Sequence, residues 1–140
     1  MKKHTRTVCL IDDDPIFIFG AKKLMERASF CDEVLVYTNG KEAIDALTLL
    51  MQAGPLTAVP DIIFLDLNMP IMDGWGFLDE FVLIKPQKEI VIYIVTSSVS
   101  SADRKRALGY SETVKDYVIK PISPIRMNEI FEKYKKEEEQ

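Results

Sequence analysis

Histidine is almost missing from this chain: one residue, His4, among 140. Mechanisms that pair a nucleophile with an imidazole base are excluded with it, unless His4 folds back onto the body. Cysteine occurs only as Cys9 and Cys31, each in apolar surroundings and without metal-ligand spacing. That excludes zinc sites and a disulfide framework, and both thiols are expected as small buried hydrophobes. Positive charge is not in excess either. Eighteen basic residues face 22 acidic ones, a net charge of −4, so neither nucleic acid nor an anionic membrane is expected as a partner. No apolar run approaches the roughly 20 residues that cross a bilayer, and the start MKKHTRTVCLIDDD has no cleavable signal pattern. These absences point to a cytoplasmic protein. The length and the 47% hydrophobic content suit one globular domain, expected to span residues 1–140 with a core at about 6–134.

What is present is a regular alternation. Five short apolar runs, rich in β-branched residues, occupy 8–11, 34–37, 62–65, 90–95 and 117–119. Near-continuous hydrophobicity over so few residues suits strands buried on both faces, as in a parallel sheet. Between them lie segments of helical spacing: Phe17, Ala21, Leu24 and Ala28; Ala43, Leu47 and Leu50; Phe77, Leu78, Phe81 and Val82; 102–108; and Met127, Ile130, Phe131 and Tyr134. Asp14-Pro15 and Ser123-Pro124 place a capping side chain before a proline at the first helical position. Asn39 and Ser101 are candidate caps for the second and fourth helices, and Gly74 starts the third or its preceding turn. Five strands alternating with five helices predict an α/β fold, a doubly wound five-stranded parallel sheet of flavodoxin-like order 2-1-3-4-5.

Four of the runs end in polar residues that strand formation does not demand. The first runs into Asp12, Asp13 and Asp14, the third into Asp66, the fourth into Thr96, and the fifth into Lys120-Pro121. In the order 2-1-3-4-5 these four strands are adjacent, and their tips share the carboxyl edge where open α/β sheets bind ligands. Converging carboxylates repel one another unless a cation intervenes. Mg²⁺ satisfies them with one or two carboxylates, several waters and a phosphoryl oxygen. Lys120 adds positive charge and Thr96 a hydroxyl, so a phosphoryl group has partners on all sides, with Asp66 as the nucleophile of an acyl phosphate. Blander readings stand beside these. Asp14 reads best as the cap of the first helix, Trp75 as a packing residue, and the basic run Arg104-Lys105-Arg106 as a solvated helix face.

The segments Leu10-Ile-Asp-Asp-Asp-Pro15, Asp61-Ile-Ile-Phe-Leu-Asp66-Leu-Asn-Met-Pro70, Met72-Asp-Gly74, Val95-Thr-Ser97 and Asp116-Tyr-Val-Ile-Lys-Pro121 together resemble the response-regulator receiver domain of two-component signalling. The resemblance runs in order through nearly the whole chain, so no output domain is expected beside it. It implies that Asp66 accepts phosphate from a sensor histidine kinase or a His-containing phosphotransfer protein. By the same resemblance Asp13 ligates Mg²⁺ directly, Asp12 mainly through water, and Asn68 through its backbone carbonyl, with Asp66 itself also in the metal set. Thr96 and Lys120 hold the phosphoryl group, Tyr117 is the aromatic switch, and a cis bond precedes Pro121. The implied role is a signalling phosphoacceptor rather than an enzyme, whose partner binds the face of helix 4, strand 5 and helix 5. Two departures stand out: Tyr110 where a small residue is common, and a long connector before the third strand. Two other readings remain. One is a haloacid-dehalogenase-like phosphatase, which would want an acid at Asn68; the other is a receiver-like interaction domain that is never phosphorylated.

Overall fold

A computed structural model describes residues 6–139, so His4 lies outside the described residues. Its elements alternate as β1 (Thr7–Ile11), α1 (Pro15–Ala28), β2 (Glu33–Tyr37), α2 (Gly40–Ala53), a 3₁₀ turn (Leu56–Ala58), β3 (Ile62–Leu65), α3 (Gly74–Phe81), β4 (Val91–Thr96), α4 (Ser101–Leu108), β5 (Val114–Ile119) and α5 (Pro124–Glu138). The strands form one parallel sheet in the order β2-β1-β3-β4-β5, as the sequence predicts.

Alternation along each strand divides the core in two. Val8 and Leu10 of β1, Ile62 and Phe64 of β3, and Tyr93 and Val95 of β4 face Ala21 and Met25 of α1 and Met127, Ile130 and Phe131 of α5. Cys9 and Ile11, Ile63 and Leu65, and Ile92 and Ile94 face α2 and α3, with Ala107 of α4 beside them. Every residue of β1 and β3 is buried, which explains why those strands read as unbroken apolar runs. Cys9 is buried as expected, and burial pushes its thiol pKa far up; Cys31 is only partly buried.

The helix starts follow the caps. Asp14 accepts from the Ile16 N–H, Asn39 from Glu42, Asp73 from Gly76 and Ser123 from Arg126. One expectation is corrected: the cap of α4 is Ser100, accepting from Asp103, while Ser101 is the first helical residue. The fifth strand also begins three residues earlier than its apolar run. Val114-Lys115-Asp116 is an edge segment with a register shift opposite Ile92 and Tyr93, and an edge strand keeps polar side chains in water. Around Tyr110, in the segment 109–115, residues 109–113 are a turn, held by Thr113 and Val114 N–H groups donating to the Tyr110 carbonyl, and 114–115 already belong to β5. Within the long connector before β3, the 3₁₀ turn packs against α2.

Candidate functional site

Four strand tips build the site, and backbone hydrogen bonds set how far each one reaches. Past the end of β1, the Asp12 N–H donates to the Tyr37 carbonyl at 2.9 Å; past β3, the Asp66 N–H donates to Ile11 at 2.9 Å. Past β5, the Lys120 N–H donates to the Thr96 carbonyl at 2.8 Å, and the Lys120–Pro121 bond is cis as expected. The three functional side chains are therefore extensions of the ladder and inherit its rigidity.

The loop after Asp66 is held against it by glycine. A Cβ on Gly74 would come within 2.4 Å of the Asp66 carbonyl oxygen, so only hydrogen fits there. Gly40 plays the same part from α2: its N–H donates to the Met72 carbonyl at 2.8 Å, and a Cβ would meet that same oxygen at 2.8 Å. Sequence reasoning missed Gly40, because a glycine opening a helix reads as part of its cap.

The side chains converge. Lys120 Nζ stands 2.8 Å from Asp12 Oδ2, 3.2 Å from Asp66 Oδ2 and 4.0 Å from Asp14 Oδ2. Asp66 Oδ1 accepts the Leu67 N–H at 2.7 Å, and Asp12 Oδ1 accepts the Asp14 N–H at 2.9 Å. Asp13 is exposed beside them, and Asn68 is exposed two residues beyond Asp66. Asp12 is only 1% exposed. Burial drives its carboxyl pKa up to about 6, with the Asp66 charge adding to the rise, against the pull of Lys120 and the Asp14 N–H. For Lys120, burial pushes the pKa down, but the bonds and charges of Asp12 and Asp66 outweigh it and leave a net rise.

The carboxylates also fit a metal. Asp12, Asp13 and Asp66 each offer an oxygen, and the three lie within 4.8 Å of one another. Asp12 Oδ2 is buried, and its one close partner is the Lys120 ammonium at 2.8 Å, which it shares with Asp66. An all-oxygen set of three carboxylates with one ammonium between them suits a hard divalent cation such as Mg²⁺.

The remaining two residues sit one step outward. Thr96 is fully buried, and its Oγ1 accepts the Ser98 N–H at 3.3 Å. The Tyr117 hydroxyl donates to the Ser98 carbonyl at 3.0 Å, and the Arg104 guanidinium stacks over its ring at 5.0 Å. Ser98 thus touches both Thr96 and Tyr117, and its own hydroxyl donates to Asp103 of α4 at 2.6 Å. Nothing in the sequence distinguished Ser98 from the loop around it. Trp75 is packing, as expected, stacked on Tyr110 beneath Arg106. Arg104 and Arg106 therefore each cover an aromatic ring, which a plain solvated face would not require.

Comparison with known proteins agrees with this architecture. The family described as response regulator receiver domain matches residues 8–132. The chain is 30% identical over 116 residues to a probable methanogenesis regulatory protein, FilR2, of Methanothrix harundinacea, covering 83% of this chain and 72% of that one. It is 25% identical over 131 residues to the chemotaxis protein CheY of Thermotoga maritima, covering 94% of this chain and 98% of that one. It spans about half the length or less of several other curated relatives. A two-component response regulator from Cytophaga hutchinsonii superposes with a TM-score of 0.80 at 30% identity, over 96% of this chain and 99% of that one. With Asn68 where a haloacid-dehalogenase-like enzyme would need an acid, nothing supports the phosphatase reading. Among the described residues no helix is long and apolar enough to cross a membrane. The chain belongs to the response regulator receiver domain family.

Proposed function

We propose that this chain is a phosphorylation switch in which Asp66 is the acceptor. Phosphorylation on an aspartate with Mg²⁺ is a general property of receiver domains. The observation that carries the assignment to Asp66 is the convergence of Asp12 and Asp66 on the single ammonium of Lys120, with the Asp13 carboxylate beside them. The donor is a phosphohistidine of a sensor kinase or a phosphotransfer protein. An Asp66 carboxylate oxygen bonds to phosphorus, the phosphorus–nitrogen bond of the donor breaks, and the imidazole recovers its proton from solvent. Asp13, Asp12, Asp66 and the backbone carbonyl of Asn68 would hold Mg²⁺, which would supply neutralising charge to the acids and to the phosphoryl oxygens.

Lys120 pairs with the phosphoryl group from the opposite side, and Thr96 hydrogen-bonds it. In doing so the Thr96 hydroxyl turns away from the Ser98 N–H, and the loop that carries the Tyr117 contact rearranges. Phosphate biases an existing equilibrium of this loop through its different contacts in the two states. The readout is the face of α4, β5 and α5, where Tyr117 and Arg104 lie and a protein partner docks. The switching body is a single domain across residues 1–140.

The test is incubation with acetyl phosphate and Mg²⁺ followed by intact mass measurement. The protein gains one phosphoryl group, about 80 Da, and Asp66→Asn gains none. Full labelling of Asp66→Asn overturns the acceptor assignment.

A further inference from the structure

Lys120 has a fourth neighbour besides the three carboxylates. Its ammonium lies over the ring of Phe17, 4.7 Å from the centroid. Phe17 stands in the first turn of α1, where side chains lean back toward the helix start and so over the strand tips. Its ring is partly buried against the core formed by α1, α5 and the sheet. Phe17 and Lys120 also share the lining of a cavity of about 560 Å³, otherwise largely apolar, with Leu24, Pro121 and Ile122.

We infer that Phe17 is a positioning residue for Lys120, holding its ammonium turned toward Asp12 and Asp66; this rests on the reading of Lys120 as the partner of the phosphoryl group. A ring face attracts an ammonium electrostatically but accepts no proton and forms no competing ion pair. The competitor is Asp14. Its carboxylate lies 4.0 Å from Nζ with a side chain 44% exposed, so it offers the lysine a hydrated resting place on the solvent side. Without the ring, Lys120 rotates toward Asp14 and the open cavity, and the phosphoryl group loses its preset cation. With the ring in place, the flexible stem of the lysine is confined before the phosphoryl group arrives, and less of its freedom is lost in the transfer. The spacing of Phe17 with Ala21 and Leu24 hides this role by placing it in an ordinary core stripe.

Two measurements test it. In the first, NMR of the protein labelled at lysine reads the Lys120 ε-methylene protons. They are expected upfield of the other lysines through the ring current, to stay there in Phe17→Tyr, and to return to the ordinary position in Phe17→Leu. In the second, the rate of labelling by acetyl phosphate with Mg²⁺ falls about fivefold in Phe17→Leu, the size of a partly desolvated cation–ring contact, and is restored in Phe17→Tyr. Adding Phe17→Leu to Lys120→Ala leaves the rate of the latter unchanged. A Lys120 resonance at the ordinary position in wild type, or an equal loss from Phe17→Leu with and without Lys120, overturns the inference while the acceptor assignment stands. A wild type that takes no label overturns both.

Discussion

Each edge of the sheet carries a buried aspartate beside a lysine, and the two edges balance their charges differently. At the amino edge, Asp61 meets Lys88 at 3.0 Å and accepts the Thr7 N–H at 2.9 Å. Tyr134 of α5 lies near it, its phenol pKa pushed up by burial and then by the Asp61 and Glu138 charges. One acid has one cation, and both are satisfied. At the carboxyl edge a single Lys120 faces Asp12, Asp66 and Asp14, so the acids outnumber the cation. The balanced pair closes the fold, and the unbalanced one leaves negative charge for something else to neutralise. Removing an acid therefore has opposite consequences at the two edges. Asp61→Ala strands Lys88 and the Thr7 N–H and is expected to cost about 3 kcal/mol in urea unfolding. Asp12→Asn removes a buried charge and, to a lesser extent, its repulsion with Asp66, and leaves metal-free stability equal or higher. Matching losses at both edges would dissolve the distinction.

Added cation sharpens the contrast. A ligand bound only by the native state stabilises it by about 2.7 kcal/mol at a hundred times its dissociation constant. Mg²⁺ is expected to raise the melting temperature of wild type and of Asp61→Ala alike, and to leave Asp13→Asn unmoved. A shift of equal size in Asp13→Asn would place the ion elsewhere.

Proton binding gives a smaller handle on the same surplus. The Asp12 carboxyl titrates at about 6 in the fold against 3.8 ordinarily. Between about pH 4 and pH 6 the native state keeps a proton that the unfolded chain has released. Native proton binding exceeds unfolded binding there, so this group makes stability fall as pH rises through the window. Without metal, Asp12→Asn is expected to gain on wild type across that range, by about 1 kcal/mol once water at the rim is allowed for, and to hold its lead above it. Urea unfolding at pH 4.5, 5.5 and 7 reads the difference. A constant gap would assign it to packing.

The carboxyl edge was far more legible in the sequence than the amino edge, for physical reasons. Asp12, Asp66, Thr96 and Lys120 each break an apolar run at its end, and the parallel order aligns those ends, so one-dimensional punctuation becomes a three-dimensional cluster. Asp61 also borders an apolar run, but Lys88 sits in a loop whose spacing carries no period, and their pairing comes only from packing. The apolar run of β5 is shorter than the strand because Lys115 and Asp116 face water there. Ser98 and Phe17 were legible only as loop and core, since their contacts depend on how a loop folds back and how a side chain leans.

The two edges also differ in where they hold backbone out of its ordinary region. Ser29 adopts φ 50° at the end of α1, where its N–H donates to the Glu26 carbonyl and closes the helix. Ile71 adopts φ 69° in the loop after Asp66, where the residue is 85% exposed. A left-handed conformation has a local reason in the first case and none in the second, and a β-branched side chain is the least suited to it. Asparagine tolerates that region through its short polar side chain, without the extra unfolded-state freedom of glycine. Ile71→Asn is therefore expected to raise stability by about 1 kcal/mol, and Ser29→Asn by less than about half of that. Strain that serves only the loop would be relieved with no change in labelling of Asp66 by acetyl phosphate. A slower label in the stabilised variant would mean that the strained turn helps set the geometry around Asp66.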